Sequence, residues 1–124
     1  MAGEKACHVL RADKALRISA ALWWFDADTG DWKYLVTSPL YDEKGARAVY
    51  MRIGRLLRDA GLDETIPVWR VWATETTEPV VKALRKVFGD APAHVQIHDL
   101  NVAGIYVHGA YLYYLPRAIS KGGK

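Results

Sequence analysis

Between residues 42 and 61 the apolar positions recur with a single period, that of an α-helix. Each residue advances about 100° around the axis, so Val49, Ile53, Leu56, Leu57 and Ala60 gather on one side. Lys44, Arg47, Arg52, Arg55 and Arg58 gather on the other. Asp42 stands where an N-cap is wanted, Gly45 allows a later start, and Gly61 supplies the stop. The design recurs at 78–88, with Val80, Val81, Leu84, Val87 and Phe88 inward and Lys82, Arg85 and Lys86 outward. Thr76 or Thr77 is the expected cap, and Pro79 is tolerated in the first turn.

Around these helices the period falls to two or the apolar runs shorten, as strands require. Residues 16–25 and 32–38 flank the dense turn Asp26-Ala27-Asp28-Thr29-Gly30-Asp31 and predict a hairpin. Residues 67–74 alternate Val68, Arg70 and Trp72 against Trp69, Val71 and Ala73, which predicts a third strand, and 93–99 predicts a fourth. Two six-residue runs, 102–107 and 110–115, face each other across His108-Gly109 and predict a second hairpin; one long strand bulged at Gly109 is the rival. The first 15 residues suit a short helix with Ala6, Val9 and Leu10 inward, 16–116 one α+β domain, and 117–124 a flexible basic tail.

The expected order is ββαβαβββ, an α+β fold in which a mixed, mostly antiparallel sheet forms a two-layer sandwich with the helices. Right-handed crossovers put both amphipathic helices on one face unless the strand order reverses between them.

Composition sharpens this only in places. With 124 residues, 51% of them hydrophobic, the chain can build one core. A net charge of +3 tilts weakly toward an anionic partner. The single cysteine, Cys7, excludes an internal disulfide; with no signal-like or membrane-length apolar run, the expected setting is a reducing cytoplasm. The alanine- and arginine-rich composition suits a bacterial chain.

Several chemistries lack their residues. Neither GxGxxG nor GxxxxGK[ST] occurs. Asp26, Asp28 and Asp31 share a turn that acidic residues commonly build, without the length or distal glutamate of a calcium loop. His94 and His98, on a strand, would lie about 13 Å apart and cannot share an ion. His98 beside Asp99, with His108 near, offers an acid-base pair but no marked nucleophile. Cys7 beside His8 lacks a third group. No catalytic, cofactor or metal site is therefore expected, and an enzyme built on a His/Asp pair ranks third.

The aromatics and the arginines carry the first two functional readings. Alternation hides only about half of Trp23, Trp24, Trp32, Trp69, Trp72, Tyr106, Tyr111, Tyr113 and Tyr114 beneath helices on one face. An open face bearing Arg70, Trp72, Tyr111 and Tyr113 would suit a partner protein or a second copy of the chain, since aromatics and arginine are enriched at interfaces. The first reading is thus a non-enzymatic adaptor in a bacterial complex. The alternative is a nucleic-acid binder that grips phosphates with Arg47, Arg52, Arg55, Arg58, Lys82, Arg85 and Lys86.

Overall fold

The computed structural model describes residues 2–90 and 94–116. Helix α1 (Ala2–Ala12) is followed by the hairpin β1 (Ala20–Asp26) and β2 (Asp31–Thr37), then by helices α2 (Pro39–Lys44) and α3 (Ala46–Asp59). Strand β3 (Val71–Thr74), helix α4 (Pro79–Phe88) and the hairpin β4 (Val95–Val102) and β5 (Ile105–Tyr114) complete the chain. The five strands form one mixed sheet in the order β3-β2-β1-β5-β4. Only β2 and β3 run parallel, while the other neighbours are antiparallel. This is the expected α+β class, and the basic tail assigned to 117–124 lies outside the described residues.

Local chemistry places each boundary. Asp26 folds the first hairpin by accepting the Asp28 N–H at 3.0 Å, and Gly30 turns back at φ 74. The long helix expected from Asp42 is divided by Gly45 at φ 88. Its first part is capped by Ser38, whose Oγ accepts the Leu40 N–H at 3.1 Å, with Pro39 in the first turn. Asp42 serves instead as an acceptor for the Thr76 N–H at 3.0 Å. At the other end Gly61 stops α3 as expected: its N–H bonds Arg58 O and the Leu62 N–H bonds Leu57 O, a Schellman closure. Helix α4 is capped by Glu78 rather than by a threonine, through the Val80 N–H at 3.3 Å.

Two strand assignments are corrected. Residues Val68–Arg70 form a 3-10 turn rather than strand, because Pro67 lacks the N–H a ladder needs and its carbonyl accepts the Arg70 N–H at 2.9 Å. The last hairpin turns at Ala103 and Gly104, not at His108-Gly109; both turn residues have positive φ, 48 and 89, as a tight two-residue hairpin demands. Strand β5 runs on through Gly109, so the ββαβαβββ order becomes five strands. Its alternation changes phase there, since Val107 and Ala110 belong to the same buried cluster. Gly109 allows a close approach: a Cβ would lie 3.0 Å from the Trp32 ring, which would have to give way.

Helices α1 and α3 form the second layer of the sandwich. Ala6, Leu10, Val49, Ile53 and Leu57 meet Ala21, Tyr34, Val36, Val71 and Ala73 in one cluster. The pair on one face is therefore α1 with α3, whereas α4 lies on the opposite face, where Val81 and Leu84 meet Ala20, Leu22, Leu35, Ile97 and Leu112. The crossover rule covers only the connection from β2 to its parallel neighbour β3; β4 runs antiparallel to β3, so the rule does not hold α4 to the same face. The path from β2 to β3 moves outward to the edge, and the path from β3 to β4 returns across the whole sheet. Of the side chains expected inside, Val49, Ile53 and Leu84 are fully buried, but Val87 is 51% exposed, and Leu56 and Val80 are half-buried.

Helix α1 is part of this core. Gly3 permits its approach, because a Cβ there would collide with the Tyr113 hydroxyl and lie 2.7 Å from Trp23 Nε1. The buried Tyr34 hydroxyl donates to the Gly3 carbonyl at 2.8 Å.

Candidate binding surface

The two most exposed large apolar side chains among the described residues, Trp69 and Met51, lie where α3 meets the segment leading into β3. Leu62 and Ile66 are buried and anchor that segment. Pro67 and the 3-10 turn then swing Val68 and Trp69 outward, 45% and 66% exposed. Opposite them α3 presents Met51, 60% exposed, together with Gly54, Arg55 and Arg58. The result is an open groove of about 630 Å³. Gly54 keeps its floor low, since a Cβ there would meet only Val68 Cγ2, at 3.8 Å. The rim carries Arg55 and Arg58, with Asp63 as the opposing charge.

Side-chain and backbone bonds hold the groove's wall. Arg70 donates from Nη1 to Trp32 O at 3.0 Å, and its guanidinium lies 4.8 Å from the Trp69 ring centroid, a cation-π contact that fixes the indole's orientation. Tyr50 accepts the Ala73 N–H at 2.9 Å and donates back to the Ala73 carbonyl at 3.4 Å. Beyond Tyr50 a second hollow, of about 470 Å³, opens between Trp24 and Trp72.

The four residues expected on one aromatic face are dispersed. Arg70 backs the groove through its contact with Trp69, whereas Trp72 packs half-buried on the α4 side of the sheet. Tyr111 and Tyr113 lie on the α1 side. Tyr113 is 9% exposed, and the Tyr111 hydroxyl meets His94 Nδ1 at 3.3 Å. No single sheet face unites them, because Trp72 points to the α4 side, Tyr111 and Tyr113 to the opposite side, and Arg70 sits in the turn before β3. Burial raises the pKa of Tyr34 and of Tyr113.

The basic residues divide likewise. Arg47, Arg55 and Arg58 are exposed on the outer side of α3. Arg52 is committed to Asp13 through two bonds of 2.8 Å; these hold the Asp13 carboxyl below its ordinary pKa. Lys82 and Lys86 are exposed on α4, across the sheet from the arginines of α3. Arg85 is 9% exposed rather than solvent-facing; it donates to Pro116 O at 2.7 Å and to Ser19 O at 2.8 Å. The seven cations do not form one surface.

Other reactive types are occupied structurally. Among the described residues no three His, Cys, Asp or Glu side chains converge to hold a metal ion. His94 Nε2 approaches Glu4 at 3.3 Å. His108 packs edge-on against Tyr106 at 4.7 Å, and Asp99 accepts from the Tyr106 hydroxyl at 3.3 Å. Burial pushes the Cys7 thiol up to about 11, which suppresses the reactive thiolate. No helix among the described residues is long and apolar enough to cross a membrane.

The groove itself is missed by alternation, which sends Trp69 toward the helices with Val71. The signal that finds it is Pro67, which forbids a continuous ladder and so breaks the phase between Trp69 and Val71. Comparison with known proteins finds no matching family model, curated relative or solved structure.

Proposed function

We propose that this chain is a non-enzymatic binding protein that docks an acidic, amphipathic segment of a partner protein in the groove between α3 and Val68-Trp69. One observation carries the reading: three large apolar side chains, Met51, Val68 and Trp69, are exposed together along one groove. A cluster of that kind marks an interaction site more often than scattered exposure does. Tryptophan and arginine are the residue types that dominate binding hot spots. The hollow between a helix and a turn suits a helix laid in a groove, with its apolar side inward and its flanks reaching the rim.

Charge decides between partners. In a two-fold dimer built on this groove, Arg55 and Arg58 of both copies would share one interface with only the two Asp63 carboxylates to offset them. Like charges brought together across an interface oppose association, whereas carboxylates on a dissimilar partner would pair with them. The partner is therefore another protein, one encoded beside this chain being the first to test. Light scattering and sedimentation of the chain, alone and with the products of neighbouring genes, supply the measurement. A defined complex should be lost in Trp69→Glu and weakened in Arg55→Glu/Arg58→Glu, without a change in melting temperature. A monomer that ignores those products would sink the proposal.

The second reading, nucleic-acid binding, draws on the solvent-facing Arg47, Arg55 and Arg58 beside Trp69. Anisotropy with single- and double-stranded probes tests it. Binding that weakens steeply with salt, and less steeply in Arg55→Gln/Arg58→Gln, would favour it over the protein partner.

A further inference from the structure

We propose that the second hollow, between Trp24 and Trp72, binds the ring of a neutral sugar. This inference is independent of the groove reading. The register builds the hollow: Trp24 on β1 stands opposite Lys33 on β2, and two residues along β2, Leu35 stands opposite Trp72 on β3. Residues two apart on a strand share a face, so the two indoles flank Lys33 and Leu35. Both indoles rest partly on the buried cluster of the α4 side, while the hollow between them, about 470 Å³, stays open. That volume lies within the range of small-ligand sites, about 300–1,000 Å³.

The Tyr50 hydroxyl at the hollow's edge is bonded to Ala73, but the charged groups around the hollow are largely unspent. Lys33 makes no ion pair among the described residues. Asp26 uses one carboxylate oxygen on the Asp28 N–H, and both carboxylates line the hollow. Asp28 is exposed and Asp26 and Lys33 are half-buried, so these groups reach water.

Chemistry selects the ligand class. Asp26 and Asp28 repel phosphates and carboxylates, and Lys33 repels amines. A purely apolar ligand would strip water from all three charges without replacing their bonds. What remains is an uncharged molecule with an apolar face for the indoles and hydroxyls for an ammonium and two carboxylates. A pyranose has both: its C–H face lies on the negative face of an aromatic ring, and its hydroxyls donate to carboxylates and accept from lysine.

The test uses the whole chain, tryptophan fluorescence and saturation-transfer NMR, with glucose, galactose, mannose, N-acetylglucosamine, cellobiose and chitobiose as probes. At least one should bind saturably in the millimolar range. Binding should weaken by about tenfold in Asp28→Asn, which alters one exposed hydrogen-bonding group. Trp72→Phe should weaken it too, and Trp69→Phe should leave it unchanged. If Trp72→Phe fails to fold, Asp28→Asn still decides. The proposal is overturned if none of the six probes binds, if adenosine or tetramethylammonium binds in their place, or if binding survives Asp28→Asn intact.

Discussion

Helices α3 and α4 are alike in sequence: each alternates an apolar stripe with a basic one, and each bridges two strands. In the fold they differ. The core side of each is sealed, by Ile53 in α3 and Leu84 in α4, but the basic sides meet different surroundings. On α3, Arg55 and Arg58 border a groove. On α4, Arg85 is drawn in to bond the carbonyls of Ser19 and Pro116, tying the helix to the start of β1 and the end of the last strand. A helical wheel gives the angle of a side chain and nothing about what lies beside that angle. An arginine on the polar side is thus a surface charge in one helix and an internal brace in the other.

The comparison is tested first at the shared feature. Ile53→Ala and Leu84→Ala should each cost about 2–5 kcal/mol in chemical denaturation, since both side chains are fully buried. Leu56→Ala should cost less, about 1 kcal/mol, because that side chain is half-buried. Equal losses at Leu56 and Ile53 would contradict the packing of α3.

The difference between the helices is tested at the arginines. Arg85→Ala removes a charged donor from two carbonyls and should cost about 2–4 kcal/mol, whereas Arg55→Ala should fall within about 0.5 kcal/mol of the wild type. Similar values for the two would erase the distinction. A pH-dependent effect, smaller than that of Arg85, concerns Arg52, which is bonded to Asp13 just past the end of α1. The Asp13 pKa is lowered in the fold, chiefly by hydrogen bonds from Arg52. The resulting stability is present above the ordinary carboxylate pKa, about 4, and is lost as pH falls through the lower folded value. Melting temperatures of wild type and Asp13→Asn should therefore differ at neutral pH and converge toward the acid end. A constant gap would show that Asp13 acts without its charge.

Much of the fold is legible in the sequence because it rests on local codes. Ile53 and Leu84 follow helical periodicity, Gly61 follows the left-handed stop, and the Asp26-to-Asp31 turn follows its own side-chain bonding. The rest depends on placement. That α4 packs on the other face is a long-range fact with no mark in residues 78–88. Trp69 illustrates the intermediate case: Pro67 signals a break, yet the alternation of 67–74 continues through it and conceals the outward swing. Gly3 gives no sequence hint of its role, which exists only because Tyr113 arrives beside it from the end of the chain.

The phenol of Tyr50 shields one border of the sheet. By occupying both the N–H and the carbonyl of Ala73 on the outer side of β3, it closes the main-chain groups to which an incoming strand would pair. Strand addition at the middle of β3 is thereby opposed, and a molecule approaching there meets a phenol rather than free main-chain groups. The border strand is only four residues long, so one hydroxyl shields much of its length, and the two hollows on either side of Tyr50 stay separate rather than merging into one channel along the sheet's margin.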